Sequence, residues 1–117
     1  MGICFLLKPI NNHTTVYEEF TVKNTLQLKE MYERIGCNWI GIEGTVINGV
    51  DIVFDDEYLL KEEIPCVNIV ASNLYGDMIC GNVIVAKVDG EELVGFSGEM
   101  LDCMRGFMQK LAVGNGD

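Results

Sequence analysis

Trp39-Ile40-Gly41-Ile42-Glu43 and Val50-Asp51-Ile52-Val53-Phe54, with Asn48-Gly49 between them, decide the fold of this chain. Apolar side chains recur at every second position, the period of a strand, and Ile and Val suit a pleated, half-buried surface. Asn-Gly tolerates the left-handed backbone that a tight turn needs. The stretch therefore predicts an antiparallel hairpin, ended by Asp55-Asp56-Glu57.

Upstream, Ile3–Lys8 is an apolar strand stopped by Pro9, and Thr15–Val22 alternates well enough to be its hairpin partner. Asn24 is placed to cap a helix, with Gln27 three residues on as its capping-box partner. Leu28, Met31, Tyr32 and Ile35 form the core-facing stripe of that helix, Glu30 and Arg34 pair at i, i+4, and Gly36 ends it. Downstream, Pro65 introduces a helix over Cys66–Tyr75 closed by Gly76. Met78–Val88 is the most apolar strand, with Gly81 marking a bulge or close backbone contact. Asp89-Gly90 is a turn. Ser97 caps a last helix running to about Ala112. The order β-β-α-β-β-α-β-(β)-α predicts an α+β fold, a mostly antiparallel sheet with two to three helices. One domain is expected over residues 1–113, with 114–117 a disordered tail.

The 117 residues include 18 acids and 8 bases, a net charge of −10 and a pI near 4.4. This argues against direct binding of nucleic acid or an anionic membrane, since both need clustered Lys and Arg. Glu43, Asp51, Asp55, Asp56, Glu57, Glu62 and Glu63 crowd one stretch against the single base Lys61. A solvated acidic rim is the ordinary reading. The functional one is a surface for a partner protein with a basic face. The five cysteines, Cys4, Cys37, Cys66, Cys80 and Cys103, are odd in number and form no Cys-x-x-Cys pair, which reads as a reduced, cytoplasmic protein. No apolar run is long enough to span a membrane, and Leu6 stands where a myristoylation signal needs Ser or Thr.

No catalytic or metal-binding signature is complete, so no enzyme, cofactor or metal is expected. His13 is the only histidine and has no cysteine pair to join it in a zinc site. Gly95-Phe96-Ser97-Gly98 lacks the final glycine of a nucleophile elbow. The acidic stretch lacks the alternate oxygen ligands and central glycine of a calcium loop. The last helix gathers Met100, Met104, Phe107 and Met108 on one broad apolar face. This is either core or an adaptable surface for self-association into a homodimer.

Ile35-Gly36-Cys37-Asn38-Trp39-Ile40-Gly41-Ile42-Glu43, Asp55-Asp56-Glu57-Tyr58-Leu59-Leu60, Pro65-Cys66-Val67-Asn68 and Ile79-Cys80-Gly81-Asn82-Val83-Ile84-Val85 together resemble a family of small uncharacterised domains of phages, plasmids and integrative elements of Firmicutes. The resemblance covers about two-thirds of the chain and implies residence in a mobile element. It implies no activity. Glu57, Pro65, Asn68 and Gly81 match its recurrent positions, read as turn acid, helix-start proline, cap amide and strand glycine. The expected function is a non-enzymatic acidic accessory protein that blocks a partner, such as a CRISPR or restriction nuclease of the host, by placing carboxylates where phosphates otherwise sit. The alternative is a sponge for a small nucleotide signal held at helix N-termini.

Overall fold

β1 (Gly2–Asn11) and β2 (Thr14–Val22) form the first hairpin, with Cys4 opposite Phe20 and Leu6 opposite Glu18. The computed structural model describes residues 1–111, so the expected tail, 114–117, lies outside the described residues. β1 does not stop at Pro9. β5 borders it only from Phe5 to Leu7, so the missing Pro9 N–H interrupts no ladder on that side, and the strand runs on to Asn11.

α1 spans Leu28–Ile35 and ends in a left-handed Gly36 whose N–H donates to Tyr32 O. Asn24 does not cap it. The Leu26 N–H donates to Leu93 O at 2.8 Å and the Leu26 side chain is buried, which holds the lead-in extended and delays the helix to Leu28. Gln27 Nε2 donates instead to Thr25 Oγ1. Leu28 is consequently 54% exposed, and Leu26 takes its expected place in the core beside Met31 and Ile35.

β3 (Ile40–Gly44) and β4 (Val50–Asp55) pair antiparallel as the alternation demands, Ile40 opposite Asp55 through Gly44 opposite Asp51. Gly41 is required here, because a Cβ would sit 2.8 Å from the Phe54 ring lying across it. The connection is longer than a two-residue Asn-Gly turn. Val46 N–H donates to Leu74 O and Ile47 packs on the core, so residues 45–49 are pinned to the next helix. That helix, α2, spans Ile69–Tyr75 and not Cys66–Tyr75, because Val67 bridges Cys80 and the Asn68 N–H donates to Ile79 O. Pro65 thus lies well before the helix start. Asn68 is its cap, accepting from the Ala71 N–H. β5 is Val83–Asp89, shorter than Met78–Val88, since Gly81 turns at φ +86° against the Pro65 ring. β6 (Glu92–Val94) and α3 (Gly98–Leu111) complete the described chain.

All strand pairings are antiparallel, in the order β2-β1-β5-β4-β3, with β6 beside the far end of β5. Among the described residues the fold is α+β, one six-stranded sheet with three α-helices. Helices cover both faces of the sheet. Phe5, Leu7, Ile52, Phe54, Val83 and Val85 meet α2 and α3 on one side, while Cys4, Leu6, Val53 and Ile84 meet α1 on the other. Burial on both faces explains why β1 and β5 read as nearly unbroken apolar runs. Met104 and Met108 are 2% and 0% exposed in the first of these cores, with Met100 and Phe107 packed partly buried against it. The chain's own sheet uses the methionine face, leaving neither Met104 nor Met108 for a second copy.

Candidate functional site

Among the described residues the sheet leaves backbone groups unpaired along two edges, β2 and β3, and the β3 edge is the one flanked by exposed apolar side chains and carboxylates. The Asp56 N–H donates to Trp39 O and the Thr45 N–H to Val50 O, so residues 39, 41, 43 and 45 aim their backbone groups at β4. Antiparallel pairing alternates, so the N–H and C=O of Ile40, Ile42 and Gly44 point away from the sheet. Among the described residues no strand pairs with that side. Ten large apolar side chains are exposed among the described residues, and six of them (Trp39, Ile42, Val46, Leu59, Leu60 and Ile64) belong to this hairpin and the loop after it. Contiguous exposed apolar patches rimmed by polar residues are the usual signature of interaction sites, and these side chains are distributed along both ends of the hairpin.

The acidic stretch divides around this edge. Glu43 and Asp51 stand at the β3–β4 loop end, where burial and the Glu43 charge push the Asp51 carboxyl above its usual range. Asp56, Glu57, Glu62 and Glu63 are exposed at the opposite end. Asp55 is the exception to an exposed rim. It follows Val53 by two residues on the α1 face and is 6% exposed, and its Oδ1 accepts the Glu57 N–H at 2.9 Å. Lys61 Nζ lies 3.0 Å from its Oδ2. That approach falls outside hydrogen-bond geometry, so Oδ2 is balanced by charge while accepting no directed bond.

Two clefts meet at this pair. One, of about 380 Å³, opens between the end of α1 and the loop after β4 and includes Tyr32, Glu33, Cys37 and Leu60. The other, of about 220 Å³, lies toward Pro65 and Asn82. Asp55 and Lys61 line both. Burial, and next the Asp55 charge, raise the Cys37 thiol above its ordinary value, so it is a poor nucleophile. Cys4 is pushed up to about 12, first by burial and then by the Glu30 charge. All five cysteines are free thiols.

His13 sits at the β1–β2 turn, whereas Ser97 follows Phe96, which bridges Ile3. Eight strand residues separate those levels, about 25 Å, so the two cannot act together. Among the described residues no group of three His, Cys, Asp or Glu side chains converges to hold a metal ion, and no helix is long and apolar enough to cross a membrane. Sequence reasoning missed the Lys61 contact, Cys37 and the open edge itself. The Val53–Asp55 spacing was the available signal, since it puts this one acid on a covered face of the sheet.

These features define a small α+β domain, helix-covered on both faces, with an open acidic edge strand and a cleft built on a buried carboxylate. A family model described as a domain of unknown function, DUF3846, matches residues 8–111, and the chain belongs to that family. No curated protein and no solved structure matches it.

Proposed function

We propose that this protein is a non-enzymatic binding protein that docks a basic, extended segment of a partner protein along the open edge of β3 and thereby blocks it. The observation that carries this reading is the outward backbone of Ile40, Ile42 and Gly44 with carboxylates at both ends. Main-chain pairing gives a strand-adding partner its affinity, and side-chain pockets give specificity. A groove of about 280 Å³ beside Ile42, reaching Leu28 and Met31 and rimmed by Glu91 and Glu92, offers such a pocket. The acids favour Lys and Arg in the partner and repel a second copy of this chain.

The mobile-element setting implied by the resemblance makes a nucleic-acid-handling host defence protein the target, since its phosphate groove supplies the basic segment. A nucleotide sponge lacks comparable support. Glu30 and Glu99 occupy the first turns of α1 and α3, and the Ile69 and Ala71 N–H groups of α2 are already bonded to Thr15 and Asn68.

Hydrogen exchange with a basic strand-forming peptide tests the reading. Binding protects the amides of Ile40, Ile42 and Gly44, whereas those of Gly41 and Glu43 are already protected by β4. Ile42→Lys, at a site 44% exposed, abolishes binding while leaving the fold intact. Protection elsewhere, with these three amides unchanged, removes the edge from the account.

A further inference from the structure

We propose that Asp55 is the floor of an anchor pocket for an arginine side chain of the partner, and that Lys61 occupies this position until the partner arrives. The inference rests on the docking reading above and adds the contact that would give it specificity. A buried carboxylate oxygen without a donor is an unfavourable state that proteins ordinarily avoid. Here Oδ2 has only the Lys61 ammonium, at 3.0 Å and off the bonding direction. A guanidinium presents paired N–H donors in a plane that matches a carboxylate, which a lysine point charge does not.

Room and charge agree with that occupant. Asp55 and Lys61 line both the 380 Å³ and the 220 Å³ cleft, so withdrawing Lys61 adds its own volume to the space beside the carboxylate. The Lys61 side chain is 43% exposed, so its ammonium is rehydrated when it withdraws, and the arriving guanidinium must take over the charge of the buried carboxylate. With Lys61 gone, Glu33 and Glu57 keep the larger cleft acidic, and Tyr32 supplies an aromatic ring for a guanidinium plane. Ile40 pairs with Asp55, so the pocket opens beside the first outward-facing backbone group of the edge. The opposing account is that Asp55–Lys61 merely fastens the loop after β4, in which case no added cation replaces Lys61.

N-acetyl-arginine amide, with the neutral N-acetyl-citrulline amide at equal ionic strength, separates the accounts. Lys61→Gln lowers the melting temperature, and the arginine compound restores it where the citrulline compound does not. By amide shifts at Cys37 and Glu57, Lys61→Gln binds the arginine compound on the order of tenfold more tightly than wild type, since an internal competitor is gone. Asp55→Asn with Lys61→Gln abolishes both effects. Equal action of the two compounds, or persistence in the double variant, overturns the proposal. If the double variant does not fold, the comparison of the two compounds on Lys61→Gln decides alone. A basic peptide that needs Ile42 but ignores Asp55→Asn overturns the anchor and leaves edge docking standing. Arginine held at Asp55 with no peptide on the edge does the reverse.

Discussion

Asn68 joins three parts of the molecule through one fully buried side chain. Its Oδ1 accepts from the Ala71 N–H and caps α2, while Nδ2 donates to Leu7 O in β1 and to Gly81 O before β5. The amide is needed because only it offers an acceptor and two donors on one short stem. Losing the cap costs about 1 kcal/mol, and each carbonyl left without a donor adds about 1 kcal/mol more. Asn68→Ala is therefore expected to cost about 3 kcal/mol, read from the urea midpoint at unchanged slope. Asn68→Asp keeps the cap acceptor but turns a carboxylate toward two carbonyl oxygens, so it destabilises at least as much. An aspartate variant as stable as wild type would show that capping alone fixes this residue. The sequence made Asn68 readable as a cap but not as a link. Nothing local reports that Leu7 lies across from it.

Among the elements, α3 shows how amphipathic spacing leaves its partner undecided. The methionines at i, i+4 and i+8 specify an apolar face, and a second copy or the chain's own sheet satisfies it equally well by pattern. The sheet does so here, through Phe5, Phe96 and Val85 in one core with Met104 and Met108. Met104→Glu is accordingly expected to lose the native fold, because an unpaired carboxylate in that core costs several kcal/mol of a total stability of about 5–15 kcal/mol. Circular dichroism and light scattering check this together. A dimeric wild type whose variant is a folded monomer would return the face to self-association. The hairpins, the Gly36 and Gly76 helix ends and the element order were legible because they depend on local backbone chemistry. The start of α3 after Ser97 was legible too, but those of α1 and α2 were not. Leu26 and Val67 are held extended by the distant Leu93 and Cys80, and those contacts overrule the capping pattern at Asn24 and Pro65. The acidic rim was legible by composition, but the burial of Asp55 depends on which face of β4 the helix α1 covers.

Charge acts on the whole molecule, and salt should change stability and binding in opposite directions. The chain has 18 acids against 8 bases, and its radius of gyration is 13.1 Å. At 0.01 M salt the screening length is about 30 Å, so every acid feels every other across the molecule; at 0.15 M it is about 8 Å and only neighbours interact. Four ion pairs among the described residues oppose this repulsion: Lys8–Glu18, Arg34–Glu30, Lys61–Asp55 and Arg105–Glu19. Exposed pairs contribute little, so the unpaired majority decides the sign. Raising NaCl from 0.01 to 0.5 M is expected to increase folding stability by about 1 kcal/mol, which moves the melting temperature of a domain this size by roughly 5 °C. Over the same range a basic peptide on the β3 edge should lose affinity, because its attraction to Glu43, Asp56 and Glu57 is screened. Thermal unfolding and titration in one salt series give both slopes. A melting temperature that falls with salt would mean the four pairs outweigh the repulsion. Binding that salt leaves unchanged would mean the acids keep the protein soluble and the edge selects its partner by shape.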